Sequence, residues 1–129
     1  MDPISNMLIA IKNGAMVSKK SVVVPFSKIK FAIAECLKDS GFVANISKKT
    51  EKNNVPVIEI ELAYPMGKSR ITDVKRVSKP SRRVYMGVRE IHSIKSGYGM
   101  TVFSTPKGIL SDKQARKEQV GGEVLFMIW

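Results

Sequence analysis

Ser104, Thr105, Pro106, Lys107 and Gly108 stand together near the C-terminal end of this 129-residue sequence, and Gly121, Gly122 and Glu123 follow a short polar stretch. The Ser104 and Thr105 hydroxyls can both donate and accept hydrogen bonds, Lys107 supplies a positive charge, and Gly108 lets backbone come close to a ligand. Those groups suit the base edges, sugar hydroxyls and phosphates of a nucleic acid. Gly121 and Gly122 allow the same close approach, and Glu123, odd beside a polyanion, fits as an acceptor for a base amine. A plain turn leading into a strand that opens on Glu accounts for these residue types equally well.

A second constellation runs from Lys75 to Arg89. It carries Lys75, Arg76, Lys79, Arg82, Arg83 and Arg89 around one aromatic, Tyr85. Basic side chains hold phosphates while a Tyr ring stacks on an unpaired base, a combination suited to folded RNA. The competing reading makes Tyr85 a cross-strand aromatic of a small core.

Other chemistries find less support. Gly67-Lys68-Ser69 has the ending of a phosphate-binding loop, but Leu62 stands where that motif needs its first glycine, and Pro65 removes an amide. His92 is the single histidine and has no nucleophile signature near it, while Cys36 is the single cysteine and sits on an apolar helix face with no metal-ligating neighbours. Glu59 and Glu61 share one face of an expected strand, a spacing as ordinary for a solvated face as for paired catalytic carboxylates. Met7, Met86, Met100 and Met127 lie in apolar stretches and read as core.

The charge balance points the same way as the constellations. Lys and Arg number 22 against 11 Asp and Glu, leaving a net +11, the footprint of a chain that meets nucleic acid or another anionic surface. Residues 1 to 66 hold 9 basic and 6 acidic side chains, residues 67 to 129 hold 13 and 5, and all six arginines lie in the later part. Arginine pairs phosphate in a bidentate fork, so the later part is the expected polyanion-facing half. No apolar run approaches the roughly 18 residues of a membrane span, and the opening Met1-Asp2-Pro3 lacks the pattern of a secretory signal. A DNA-binding regulator fits the charge, but no helix-turn-helix is visible and the 112–119 helix is short and carries Asp112 and Glu118.

The elements that must position these residues can be read in outline. Ile4, Met7, Leu8 and Ile11 have helical spacing, with Asp2 as N-cap, Pro3 at the first helical position and Gly14 as the stop. Val22 to Val24 is a strand, Ser27 caps a second helix with Ile29, Ala32, Ile33, Cys36 and Leu37 on one face, and Gly41 closes it. Phe42 to Ile46 and Val57 to Leu62 are strands around a polar turn at residues 50–54. The expected fold is α+β in two small domains. Residues 1–66 form an N-terminal α-β-α-β-β two-layer unit, and residues 67–129 form a C-terminal β-rich domain with one short helix from Ser111 to Gln119. Tyr64 to Ser69, with Pro and Gly, marks the boundary. In the second domain, strands at 71–78 and 83–88 form a hairpin across Lys79-Pro80-Ser81-Arg82, Gly97-Tyr98-Gly99 makes a turn, and residues 101–103 and 123–128 supply further strands.

The C-terminal order of Ser104-Thr105-Pro106-Lys107-Gly108, a capped helix, Gly121-Gly122-Glu123 and an apolar strand ending in Trp129 resembles the signature of the family of the eighth protein of the small ribosomal subunit. Asp2-Pro3-Ile4, Met7-Leu8, Ile11 and Asn13 resemble that family's opening helix, and Lys75 to Pro80 with Arg82-Arg83-Val84-Tyr85 its middle hairpin. Position 106 departs, with Pro in place of the usual Ser, which removes a hydroxyl and a backbone donor. The resemblance implies a cytoplasmic ribosomal protein, not an enzyme and without cofactor or metal. Its partner would be a helix in the central domain of small-subunit ribosomal RNA, distorted by unpaired bases, and its role to help assemble the platform. It further implies the fifth and twelfth proteins of the subunit as neighbours, no membrane or small-molecule partner, and a monomer when free. RNA contacts are expected from Ser104 to Gly108, Tyr85, Gly121, Gly122, Glu123, Lys79, Arg82 and Arg83. Pro3, Lys28 and Lys30 are expected at the RNA edge or facing neighbouring proteins.

Overall fold

The computed structural model describes residues 3–79, 81–91 and 99–129. The expected helix cap at Asp2, His92, the proline corner at Pro80 and the turn residues Gly97 and Tyr98 lie outside the described residues. The chain divides into two compact units, residues 3–72 and 73–129. Among the described residues no helix is long and apolar enough to cross a membrane.

In the first unit the elements are α1 (Pro3–Met16), β1 (Ser21–Pro25), α2 (Lys28–Asp39), β2 (Val43–Thr50) and β3 (Pro56–Leu62). The sheet is antiparallel in the order β1-β3-β2, so the last strand inserts between the first two. It does so because β3 alternates Ile58, Ile60 and Leu62, all buried, with Glu59 and Glu61. That alternation leaves one face for the helices to cover. The cover comes from Met7, Leu8 and Ile11 of α1 and Ile33, Ala34 and Leu37 of α2. Burying each of these Met, Leu and Ile side chains contributes about 1.5–3 kcal/mol. Ser27 caps α2 by accepting from the Lys30 N–H at 3.2 Å, and Gly41 ends it at φ +81° while the Phe42 N–H reaches back to the Leu37 carbonyl at 2.9 Å.

Two local expectations are corrected here. Gly14 does not stop α1, which runs on to Met16. A Cβ at Gly14 would lie 2.5 Å from Val22 Cγ1 and 3.3 Å from Leu62 Cδ1, so the glycine is there to let helix and sheet approach. Ile29 does not share the buried face of α2. It is exposed, and Lys30 is buried instead, its ammonium donating to the Pro25 carbonyl at 3.4 Å.

The second unit comprises β4 (Val74–Arg76), β5 (Tyr85–Met86), β6 (Met100–Thr105), β7 (Gly108–Ser111), α3 (Asp112–Glu118) and β8 (Gly122–Ile128). The sheet runs β4-β8-β6-β7, with β5 also on β8. Because β6 occupies one edge of β8, both β4 and β5 lie along its other edge, β4 beside Phe126 to Ile128 and β5 beside Gly122 and Glu123. The hairpin expected between residues 71–78 and 83–88 is therefore corrected. The two stretches pair with β8 and not strand to strand with each other; the Lys79–Arg82 bridge and the Ser78 hydroxyl on Val84 link them. Val124, Leu125, Phe126 and Ile128 of β8 are buried, and its length gives both short strands more backbone partners than either offers the other. One side of the sheet packs Phe103 and Val124 against Ala115 of α3 and Ile91. Ser111 caps α3 as its spacing from Gln114 predicts, each side chain bonding the other's backbone N–H at 3.2 and 3.0 Å.

Candidate nucleic-acid interface

β8 places Glu123 between two neighbours. In register it pairs with Tyr85 of β5 on one side and with Ser104 of β6 on the other. Residues directly opposite one another in a sheet project from the same face, so Tyr85, Glu123 and Ser104 form a row across three strands. Tyr85 is 68% exposed although it stands in a sheet, which counts against its reading as a core aromatic. Around this row lies an open pocket of about 690 Å³, lined by Tyr85, Met86, Gly87, Glu90, Ser104, Thr105, Pro106, Gly121, Gly122 and Glu123. Seven of those ten are residues that the sequence nominated, drawn from three separate stretches of chain. Met86, Gly87 and Glu90 were missed. Their only signal was the glycine two positions after Tyr85, whose N–H now donates to the Glu90 carboxylate at 3.2 Å.

The hydroxyl-rich segment is not a loop but the tip of a hairpin, which corrects the sequence reading of residues 104–108. Thr105 pairs with Gly108 across a two-residue turn made of Pro106 and Lys107. Gly108 takes φ +109°, a conformation that L side chains avoid. The Thr105 hydroxyl donates to the Gly108 carbonyl at 2.8 Å and accepts from the Lys107 N–H at 3.1 Å, so it closes the turn and keeps one lone pair for a ligand. Pro106 sits where its fixed φ favours a turn. Lys107 leans toward Glu118 at 3.3 Å, with both side chains about half exposed.

Gly121 and Gly122 are required by the protein itself. A Cβ on Gly121 would collide with the Met86 carbonyl and lie 2.8 Å from Gly87 Cα, and one on Gly122 would collide with the Ser104 carbonyl and lie 3.1 Å from Thr105 Cα. Their bareness brings β5 and β6 up against β8 and so forms the walls of the pocket, where the sequence suggested close approach of this backbone to a ligand.

Several arginines are engaged within the protein. Arg70 stacks on the Phe42 ring at 4.0 Å, Arg76 donates to the Leu125 carbonyl, Arg83 pairs with Glu123 at 3.0 Å, and Arg116 faces Asp112 at 4.0 Å. Arg82 and Arg89 are exposed, as is Lys79. Lys79 and Arg82 exchange backbone hydrogen bonds at 2.8 and 2.9 Å, closing a tight turn that holds both side chains outward. Beneath it Ser78 is fully buried, its hydroxyl accepting from the Val84 N–H at 2.8 Å and donating to the Val84 carbonyl at 3.2 Å. In the first unit Pro3 and Lys28 are exposed, whereas Lys30 is turned inward on Pro25.

Among the described residues no group of three or more His, Cys, Asp or Glu gathers as a metal site, and Cys36 is buried. The chemistry on display is hydrogen bonding, stacking and cationic contact.

Comparison with known proteins points in one direction. The family model described as ribosomal protein S8 matches residues 2–129. Curated relatives named small ribosomal subunit protein uS8 are similar along nearly their whole length. The protein from Burkholderia multivorans is 46% identical over 98% of this chain and 96% of its own. Those from Ruegeria pomeroyi and Mycoplasma mobile are each 44% identical over 99% of this chain, covering 98% and 96% of theirs.

Proposed function

The chain belongs to the ribosomal protein S8 family, and on that premise we propose that it binds small-subunit ribosomal RNA through its second unit and acts as a structural component without catalysis. The target is a helix of the RNA's central domain opened by unpaired bases, and binding there helps assemble the platform. The fifth and twelfth proteins of the subunit are its neighbours. The sequence draws the RNA-binding domain from residue 67 onward; we take the second unit, residues 73–129, as that domain.

One observation carries this reading: Tyr85, Ser104, Thr105 and Glu123 converge on a single open pocket. Tyr85 offers its ring to a splayed base, Ser104 and Thr105 offer hydroxyls to sugar and base edges, and Glu123 accepts from a base amine. Lys79, Arg82 and Lys107 contact phosphates, while Pro106, Gly108, Gly121 and Gly122 set the backbone that the RNA rests on. Pro3 and Lys28 touch the edge of the RNA from the first unit. Lys30, with its ammonium on Pro25, is left out of the contact set.

The test is binding of the full chain to a transcript of the central-domain helix. Tyr85→Ala should weaken affinity by about 1–3 kcal/mol, the amount a base stacked on an aromatic contributes, with the melting temperature nearly unchanged because the ring is exposed. Wild-type affinity in that variant would remove the stacking role.

A further inference from the structure

Within the row that lines the pocket, Glu123 poses a problem of sign. Its side chain is only 17% exposed, so water shields it poorly, and a bare carboxylate there repels a polyanion at the short distances where screening is weakest. The structure supplies the compensation. Arg83 Nη1 stands 3.0 Å from Glu123 Oε2, and the Arg83 side chain remains 49% exposed. The chain from Arg83 to Met86 alternates outward and inward, with Val84 and Met86 on the core and Arg83 and Tyr85 outside. Arg83 thus reaches Glu123 from the same side as the Tyr85 ring.

We propose that Arg83 is a positioning residue for RNA recognition, not a phosphate anchor: it fixes the Glu123 carboxylate at the pocket and cancels its charge, so that Glu123 can accept from a base amine beside a phosphate backbone. This rests on the reading of the pocket as the RNA face. It separates two arginines that are adjacent in sequence. Arg82 projects from the Lys79–Arg82 turn and binds phosphate, whereas Arg83 is engaged within the protein and acts through Glu123. The Arg83 end of the pair stays about half open to water, which limits what the pair adds to folding stability.

The experiment measures affinity of the full chain for the central-domain helix transcript across a salt series, for the wild type, Arg82→Ala, Arg83→Ala, Glu123→Ala and the Arg83→Ala/Glu123→Ala double variant. Tyr85→Ala serves as the control for the pocket, and thermal melts check folding. Arg82→Ala should lower the slope of log affinity against log salt by about 0.7–0.9, one phosphate's worth. Arg83→Ala should leave that slope unchanged yet weaken binding about tenfold, within the range of coupled neighbours, and the double variant should bind no worse than Glu123→Ala. A lowered slope for Arg83→Ala, with losses that add in the double variant, would make Arg83 a phosphate contact and overturn the proposal while Tyr85→Ala still shows the pocket to be the RNA face. Wild-type binding by both Tyr85→Ala and Glu123→Ala would instead remove the pocket from recognition, and the positioning role with it.

Discussion

The Thr105 hydroxyl has two tasks at once, because it closes the Pro106-Lys107 turn through Gly108 and Lys107 while lining the pocket. Thr105→Ala should therefore cost stability, about 1 kcal/mol for the lost hydrogen bonding, as well as RNA affinity, and Thr105→Ser should restore most of both. Urea unfolding beside the binding assay checks this; an unchanged midpoint in Thr105→Ala would show that the turn does not depend on the hydroxyl. Gly122→Ala should destabilise by about 1–3 kcal/mol, the usual effect of overpacking, since its Cβ would meet the Ser104 backbone. A melt as stable as wild type would mean that β6 moves aside freely. The hydroxyls, charges and ring of this site could be named from residue types alone. The purpose of the glycines could not, because the atoms that crowd them belong to strands distant in sequence.

Elements were legible where local chemistry decides them. The Ser27 and Ser111 caps, the Gly41 exit and the alternation of β3 all follow from neighbours within a turn or a strand. Partner choice did not follow. Alternation marks residues 74–76 and 85–86 as strand-like, but only the apolar β8, absent from that stretch, explains why they line up along its edge instead of forming a hairpin. The buried Ser78 hydroxyl is the hinge of that arrangement, holding both the N–H and the carbonyl of Val84. Ser78→Ala leaves the part-buried Val84 N–H without its hydroxyl acceptor, while the Val84 carbonyl keeps the Val124 N–H, and the expected loss is about 1–3 kcal/mol. Phosphate binding by Lys79 and Arg82 should weaken in step as their turn loosens. Chemical denaturation of the variant measures the first effect, and a loss near zero would mean that the loop is held by its backbone alone.

At the scale of the molecule, we assign attraction and salt dependence to the +11 charge and selectivity to the pocket. The segregation of arginine into residues 67–129 made that part the expected polyanion-facing one, yet Arg70, Arg76, Arg83 and Arg116 are engaged with groups of the protein itself. Counting charges could not reveal that, since an arginine bound to a carbonyl and one open to solvent look alike in sequence. The central claim is that the Tyr85–Glu123–Ser104 row and the turn beside it are the RNA face. Titration of the isotopically labelled full chain with the central-domain helix transcript, followed by backbone amide chemical shifts, tests it most directly. The largest changes should fall on Tyr85 to Gly87, Ser104 to Gly108 and Gly121 to Glu123; unmoved amides there, with the largest changes gathered elsewhere on the chain, would contradict it.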